Sequence, residues 1–264
     1  MDQTAAARAV MIEVLNILGR LKGDIVLIGG WVPNLHYPDR GHIGSLDVDL
    51  AISPEAAADC AHDSILARLR DRNYQFSPGP ARFYRDVPGA REPVKVDLVA
   101  SEYRDGNRVD ATLVNELRIN GLRGVDLAFE CHEEITLTGT MPDGSRNAVR
   151  ARIIRPEAFI LVKAFALAER VKAKDAYDIA FTLHHYQPSL DDLAARIAPL
   201  LSRGLGAEAW QILLEKFASL DAVGPRWAAD VAALEGGADA NRERRAAYED
   251  ARALFEAVAR LRQT

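Results

Sequence analysis

The pattern that most constrains this chain is the run Ser45-Leu46-Asp47-Val48-Asp49-Leu50, preceded one loop earlier by Gly29-Gly30-Trp31. Strict alternation of acidic and apolar residues predicts a strand with one buried and one polar face. Asp47 and Asp49 then share one face, while Leu46, Val48 and Leu50 take the other. Carboxylates one ladder step apart repel unless a cation lies between them. Asp97, in Lys95-Val96-Asp97-Leu98-Val99, has the same setting, and three such acids on neighbouring strands make an all-oxygen ligand set of the kind that suits Mg²⁺. Such a site serves phosphoryl or nucleotidyl transfer. A glycine pair closing a strand adds a place where phosphate can approach the backbone, because no Cβ stands in the way. Each piece alone is weak, since a tight turn accounts for the glycines and a solvated face for the acids; their order along the chain carries the argument.

Composition narrows the classes. The 264 residues carry 33 basic and 38 acidic side chains, a net charge of −5, which argues against a general nucleic-acid coat. Cys60 and Cys131 stand far apart with no Cys-x-x-Cys spacing, so two ordinary thiols in a reducing compartment are expected. Ala5 to Arg20 is amphipathic rather than a signal sequence. No apolar run reaches the roughly 18 residues of a membrane span. The expected location is the cytoplasm.

Along the chain, Thr4 to Lys22 sets Val10, Met11, Val14, Leu15 and Leu18 at helical spacing, with Gly23 as the stop. A short strand over 24–28 runs into the glycine turn. A short helix over 31–36 is then expected, and a mobile loop over 37–44. A helix is predicted over 54–72. Strands near 82–85 and 94–100 are expected to form a meander with the first two. Leu127–Phe129 and Ile135–Leu137 read as short strands, and Met141-Pro142-Asp143-Gly144 as a turn. A strand over 149–154 leads into a helix from Pro156 to about Val171, and the remainder is helical. The boundary falls near 150, giving an α/β domain over 1–150 and a helical domain over 151–264.

A second constellation lies in the helical half. Lys163, Arg170, Lys174 and Asp178 fall on one side if the helix is continuous. Phe159 and Leu167 share that side, and a lysine among apolar neighbours needs an anion. An internal carboxylate would serve, and so would the phosphates of a nucleotide. Asp175 could cap a new helix if the chain bends near 172–174, and Asp178 could pair with Lys174 at i, i+4. His36 and His42 flank the expected loop, His184-His185 closes a helix without metal-ligand spacing, and Trp31, Trp210 and Trp227 read as packing residues.

Gly-Gly followed by Ser-x-Asp-x-Asp, and later by Lys-x₆-Arg-x₃-Lys-Asp-x-Tyr-Asp, resembles the AbiEii/MenT-type nucleotidyltransferase toxins of the DNA polymerase β-like nucleotidyltransferase superfamily. The matching motifs span residues 25 to 181. The resemblance implies an α+β fold, a nucleotidyltransferase-like mixed sheet flanked by helices, with the C-terminal helical domain completing the site. It implies that Asp47 and Asp49 bind metal, that Ser45 and the Gly29-Gly30 turn hold phosphates, and that Lys163 contacts the nucleotide. The Lys174-Asp175-x-x-Asp178 element corresponds to the family's last motif. Two departures stand out: the superfamily turn is often Gly-Ser, and the loop before Asp47 is longer than in polymerases. Asp97 as third carboxylate comes from the strand pattern, not from the resemblance.

The expected chemistry is transfer of a nucleotide from an NTP. Two Mg²⁺ ions, with Mn²⁺ as the alternative, would be held by Asp47, Asp49 and Asp97, and Lys163 and Arg170 would neutralise the triphosphate. The resemblance suggests an RNA acceptor such as a tRNA 3′ end, and a cognate antitoxin as partner. Seven basic against three acidic residues between Arg150 and Asp175 give a patch for such a backbone. Two other classes compete: an antibiotic nucleotidyltransferase with an aminoglycoside-like acceptor drawn by Asp191, Asp192 and Asp230, and a nucleotide-binding regulator without turnover.

Overall fold

The computed structural model describes residues 1–19, 23–53, 61–77, 81–104, 107–108, 110–114, 117–202 and 204–263. Cys60 and the expected start of the helix over 54–72 lie outside them. Two compact units emerge, one of residues 1–32 and 44–154, the other of residues 33–43 and 155–264. No helix among the described residues is long and apolar enough to cross a membrane.

The first unit opens with α1 (Gln3–Ile17), capped where the Asp2 carboxylate accepts a hydrogen bond from Ala5 N–H at 3.2 Å. The helix ends at Ile17, ahead of the expected Lys22. There follow β1 (Ile25–Ile28), a 3₁₀ turn (Gly29–Trp31) and α2 (Val32–His36), whose residues 33–36 already belong to the second unit. Next come β2 (Asp47–Ile52), α3 (Ala61–Arg70), β3 (Tyr74–Ser77), β4 (Arg82–Arg85) and β5 (Val94–Ser101). A two-residue ladder pairs β6 (Tyr103–Arg104) with β7 (Asn107–Arg108). The unit closes with β8 (Ala111–Val114), β9 (Leu117–Leu122), α4 (Asp126–Glu130), β10 (His132–Thr140) and β11 (Arg146–Ile154).

Nine of these strands form one mixed sheet in the order β10-β11-β1-β2-β5-β4-β3, with β9 beside the end of β5 and β8 beside β9. The expected meander is corrected here, because β5 runs parallel to β2. Parallel neighbours need a crossover of a dozen or more residues, and the stretch carrying α3 and the β3–β4 hairpin supplies it. The predicted strand at Leu127–Phe129 is also corrected: it is the short helix α4, with Leu127 and Ala128 buried. A brief apolar run fits either state by periodicity alone. The 141–144 turn stands, joining β10 to β11 with Gly144 at φ 84°. Beneath the sheet, α1 contacts β2, β5, β10 and β11. A Cβ on Gly139 would come 2.6 Å from Ile12 Cδ1, so glycine there admits the helix. Glu13 of α1 is buried yet satisfied, accepting from the Tyr74 hydroxyl at 2.8 Å and from Arg85 Nε at 3.0 Å.

The second unit is helical: α5 (Pro156–Glu169), α6 (Ala173–His185), α7 (Leu190–Ile197), α8 (Gly204–Lys216), α9 (Val223–Gly236) and α10 (Ala240–Leu261). Residues Ala158 to Phe165 of α5 are all buried, so this helix is the unit's core, in contact with α6, α7 and α8. The continuous helix expected through 163–178 is broken. Arg170 (φ −133°, ψ 143°) and Lys172 (φ −132°, ψ 102°) are extended, and Val171 between them is 92% exposed. Segment 37–43, expected to be mobile, is anchored within this unit. The His42 ring lies 5.3 Å from Tyr177 and 4.8 Å from Phe181, and Tyr37 lies 6.4 Å from Phe181.

Candidate active site

The first unit gathers the three predicted acids on one sheet face. In the β2–β5 ladder, Asp49 stands opposite Asp97 and Asp47 opposite Lys95. Alternation along each strand keeps all four side chains on the same side, while Val48, Leu50, Val96 and Leu98 are buried behind them. Lys95 Nζ sits 2.8 Å from Asp47 Oδ2 and 3.3 Å from Asp97 Oδ2. Arg82 grips Asp97 from the neighbouring strand, Nε to Oδ1 at 2.7 Å and Nη2 to Oδ2 at 3.3 Å. That hydrogen bond raises the Arg82 pKa. Burial works against the Lys95 ammonium, but its bond to Asp47 and the charges of Asp97, Asp47 and Asp49 raise its pKa on balance. Among the described residues no three His, Cys, Asp or Glu side chains are grouped to hold a metal ion as they stand. The donor set still fits a hard divalent cation: its atoms are carboxylate oxygens, and Lys95 already places a positive charge between two of them.

Gly29, at φ +77°, is in the left-handed region that favours glycine. A Cβ built on it would overlap the Asp49 carboxylate, so the lack of a side chain there makes room for Asp49 itself. Asp49 lies opposite Ile28 in the β1–β2 ladder, one residue before the turn, which is why strand and turn meet at this point. Gly30 is buried in the 3₁₀ turn with Trp31. Ser45 is half-buried, two residues ahead of β2.

The second unit holds a buried charge cluster. Lys163 Nζ donates to Asp175 Oδ1 at 2.7 Å and to Asp178 Oδ2 at 2.8 Å. The break at 170–172 lets Arg170 turn back on Asp175 with a two-pronged contact of 2.8 and 2.9 Å. Asp175 lies in the first turn of α6, where a carboxylate suits the helix dipole. Lys174 Nζ reaches Asp178 Oδ1 at 2.7 Å, and His42 Nε2 approaches the same oxygen at 3.1 Å. With an ionised acceptor, the ring nitrogen must be the donor. Burial opposes ionisation of both aspartates, yet Lys163 and its fellow cations hold them below the usual carboxylate range. Burial likewise lowers Lys174 and His42, whereas for Lys163 the two carboxylates outweigh it and raise the pKa.

No family model matches the chain, and no curated protein does. Among solved structures it is similar to an H. pylori protein provisionally described as a nucleotidyltransferase, at 16% identity and a TM-score of 0.47, covering 97% of each chain. It is also similar to the antibiotic-resistance factor ANT(2″)-Ia, at 13% identity and a TM-score of 0.38, covering 78% of this chain and 98% of that one.

Sequence reasoning passed over three participants. Lys95 and Arg82 read as ordinary polar strand positions, although the Lys-x-Asp spacing of Lys95 and Asp97 put both on one face. His42 was visible only as a loop histidine, because nothing local shows which residue a loop buries. His184 instead pairs with Asp250 at 2.9 Å, and His185 packs 4.3 Å from Phe181. Trp31 and Trp210 are buried and Trp227 is half-buried. On β11, Arg150 is exposed, while Arg152 donates to Gly23 O at 2.7 Å; both line a cavity of about 220 Å³ with Leu15, Leu18, Ile25 and Glu134.

Proposed function

We propose that this chain is a metal-dependent nucleotidyltransferase that transfers a nucleotide from an NTP to an RNA acceptor, as a toxin with a cognate antitoxin would. The observation that carries the reading is the placement of Asp47 and Asp49 on β2 with Asp97 at the register position beside Asp49. Asp47, Asp49 and Asp97 would hold Mg²⁺ or Mn²⁺, which when bound would neutralise charge on the α-phosphate and acidify the acceptor hydroxyl. Ser45 and Gly30 are assigned to the phosphates. Arg170 and Lys174 are assigned to the triphosphate; their side chains, 54% and 21% exposed, are more open to solvent than that of Lys163. A Lys163 contact to nucleotide would require phosphate to replace one of its two aspartates; otherwise Lys163 acts by holding Asp175 and Asp178. The Lys174-Asp175-x-Tyr177-Asp178 element, through its resemblance to the toxin family's last motif, favours an RNA acceptor over a small one. Asp191 and Asp192 are engaged by Arg260 at 2.7 Å and Arg196 at 2.9 Å, which leaves less free acid to attract a cationic drug.

Incubating the protein with Mg²⁺, each labelled NTP and total RNA tests this. Label incorporated into RNA, lost with EDTA, is expected. Transfer to an aminoglycoside instead would change the acceptor class, and binding without transfer would leave only the regulator reading.

A further inference from the structure

We infer that Lys95 is the resident counter-cation of the carboxylate face, and that a divalent ion enters by displacing its ammonium from between Asp47 and Asp97. This rests on the metal-site reading above and names how that site is controlled.

The ladder sets Lys95 opposite Asp47 and two residues before Asp97, so its side chain rises on the acids' own face. Its Nζ bridges the two carboxylates at 2.8 and 3.3 Å. Arg82 holds Asp97 through both guanidinium prongs, independently of Lys95. The two cations therefore differ in kind. A forked guanidinium fixes a carboxylate in one orientation, whereas an ammonium on a four-carbon stem is a point charge that swings away at little cost. The Lys95 side chain is 25% exposed and Asp47 31% exposed, so water can solvate both during the exchange. A divalent ion and an ammonium cannot share the place between the same oxygens, because like charges at contact distance repel. Lys95 thus relieves acid–acid repulsion when no metal is bound and weakens metal affinity by competing for it.

The test titrates Mn²⁺ into the whole protein by calorimetry at fixed ionic strength, without nucleotide. Relative to wild type, Lys95→Met should bind Mn²⁺ roughly tenfold more tightly, the worth of one charge-assisted contact no longer competing. Lys95→Arg should bind Mn²⁺ more weakly than wild type, because a forked guanidinium gives up its carboxylates less readily than an ammonium, and Lys95→Met should melt lower without metal and recover with it. If Lys95→Met does not fold, Lys95→Gln carries the same expectation. Wild-type binding that Asp49→Asn abolishes but Lys95→Met leaves equal or weaker would overturn this inference while sparing the metal site. No Mn²⁺ binding by wild type or Lys95→Met would overturn the metal site, and the inference with it.

Discussion

The acidic face of β2 and β5 and the charge cluster of α5 and α6 use the same side-chain types under opposite solvent access. On the sheet, Asp47 and Lys95 are 31% and 25% exposed; in the helices, Lys163, Asp175 and Asp178 are 8%, 1% and 0% exposed. A half-exposed pair contributes little to stability, because water screens it and can replace either partner. A buried pair has lost that replacement, so removing one member strands the other in a poor solvent. The first arrangement suits exchange of counter-ions during a reaction. The second suits fixing one conformation of the chain, here the break at 170–172 and the segment carrying His42.

The sharpest way to break the comparison is on the sheet. Asp49→Ala or Asp47→Ala should reduce transfer roughly a thousandfold or more, since a metal-binding carboxylate supports several kcal/mol of transition-state stabilisation. Thermal unfolding without metal should move little, because each change relieves repulsion among the acids, which for Asp47 offsets the lost contact to Lys95. Near wild-type transfer by either variant in the presence of Mg²⁺ would sink the metal-site assignment.

In the helices the expectation reverses. Lys163→Met should cost about 3–5 kcal/mol in denaturant unfolding, because Asp175 and Asp178 would face each other without their shared cation. If NTP affinity falls more than stability does, Lys163 touches the nucleotide and the contrast between the two clusters blurs.

How far the sequence foretold this depends on the range of each interaction. The two-residue period exposed β2 and β5 and placed Asp47, Asp49 and Asp97 correctly as one-face acids, because side-chain direction on a strand is a local property. The parallel pairing of β2 with β5 depends on a crossover about forty residues long, and no window of alternation records it. The same limit hid Arg82, whose partner Asp97 lies across the ladder. In the helical half, spacing put Lys163, Arg170, Lys174 and Asp178 together. They do meet, but through a bend that returns Arg170 to Asp175 rather than along one straight helix. His42 was illegible, since its burial depends on Tyr177 and Phe181 more than 130 positions later.

Acid should separate the two regions next. Burial lowers the pKa of His42, and burial with the nearby cations lowers His185 to about 4, from a usual 6.5. The unfolded chain therefore takes up protons first, and the helical unit should lose stability as pH falls from about 6.5 toward 4. Asp175 and Asp178, held below 3.8, add a further loss as pH falls below that value. Helical signal followed against pH should show both stages, and His185→Gln should flatten the first. An unchanged slope in that variant would assign the first stage to other groups.

The smallest expected effect concerns the arginines of β11, where the acceptor is at issue. Arg152→Glu is a poor probe: it would break the bond to Gly23 O and set a glutamate opposite Glu134 in the β10–β11 ladder. Arg150 is exposed and faces Thr136 there, so Arg150→Glu changes charge with little structural cost. If RNA is the acceptor and runs over this strand, the variant should raise acceptor KM several-fold. It should also reduce the salt dependence of acceptor binding by roughly one ion, since one phosphate contact and its released counter-ion are lost. A small cationic acceptor would instead be unaffected or slightly favoured, because the reversal makes the local field more negative. The slope of acceptor affinity against salt is thus the decisive measurement. Equal slopes for wild type and Arg150→Glu would remove β11 from any RNA path, whatever the acidic face of β2 and β5 proves to do.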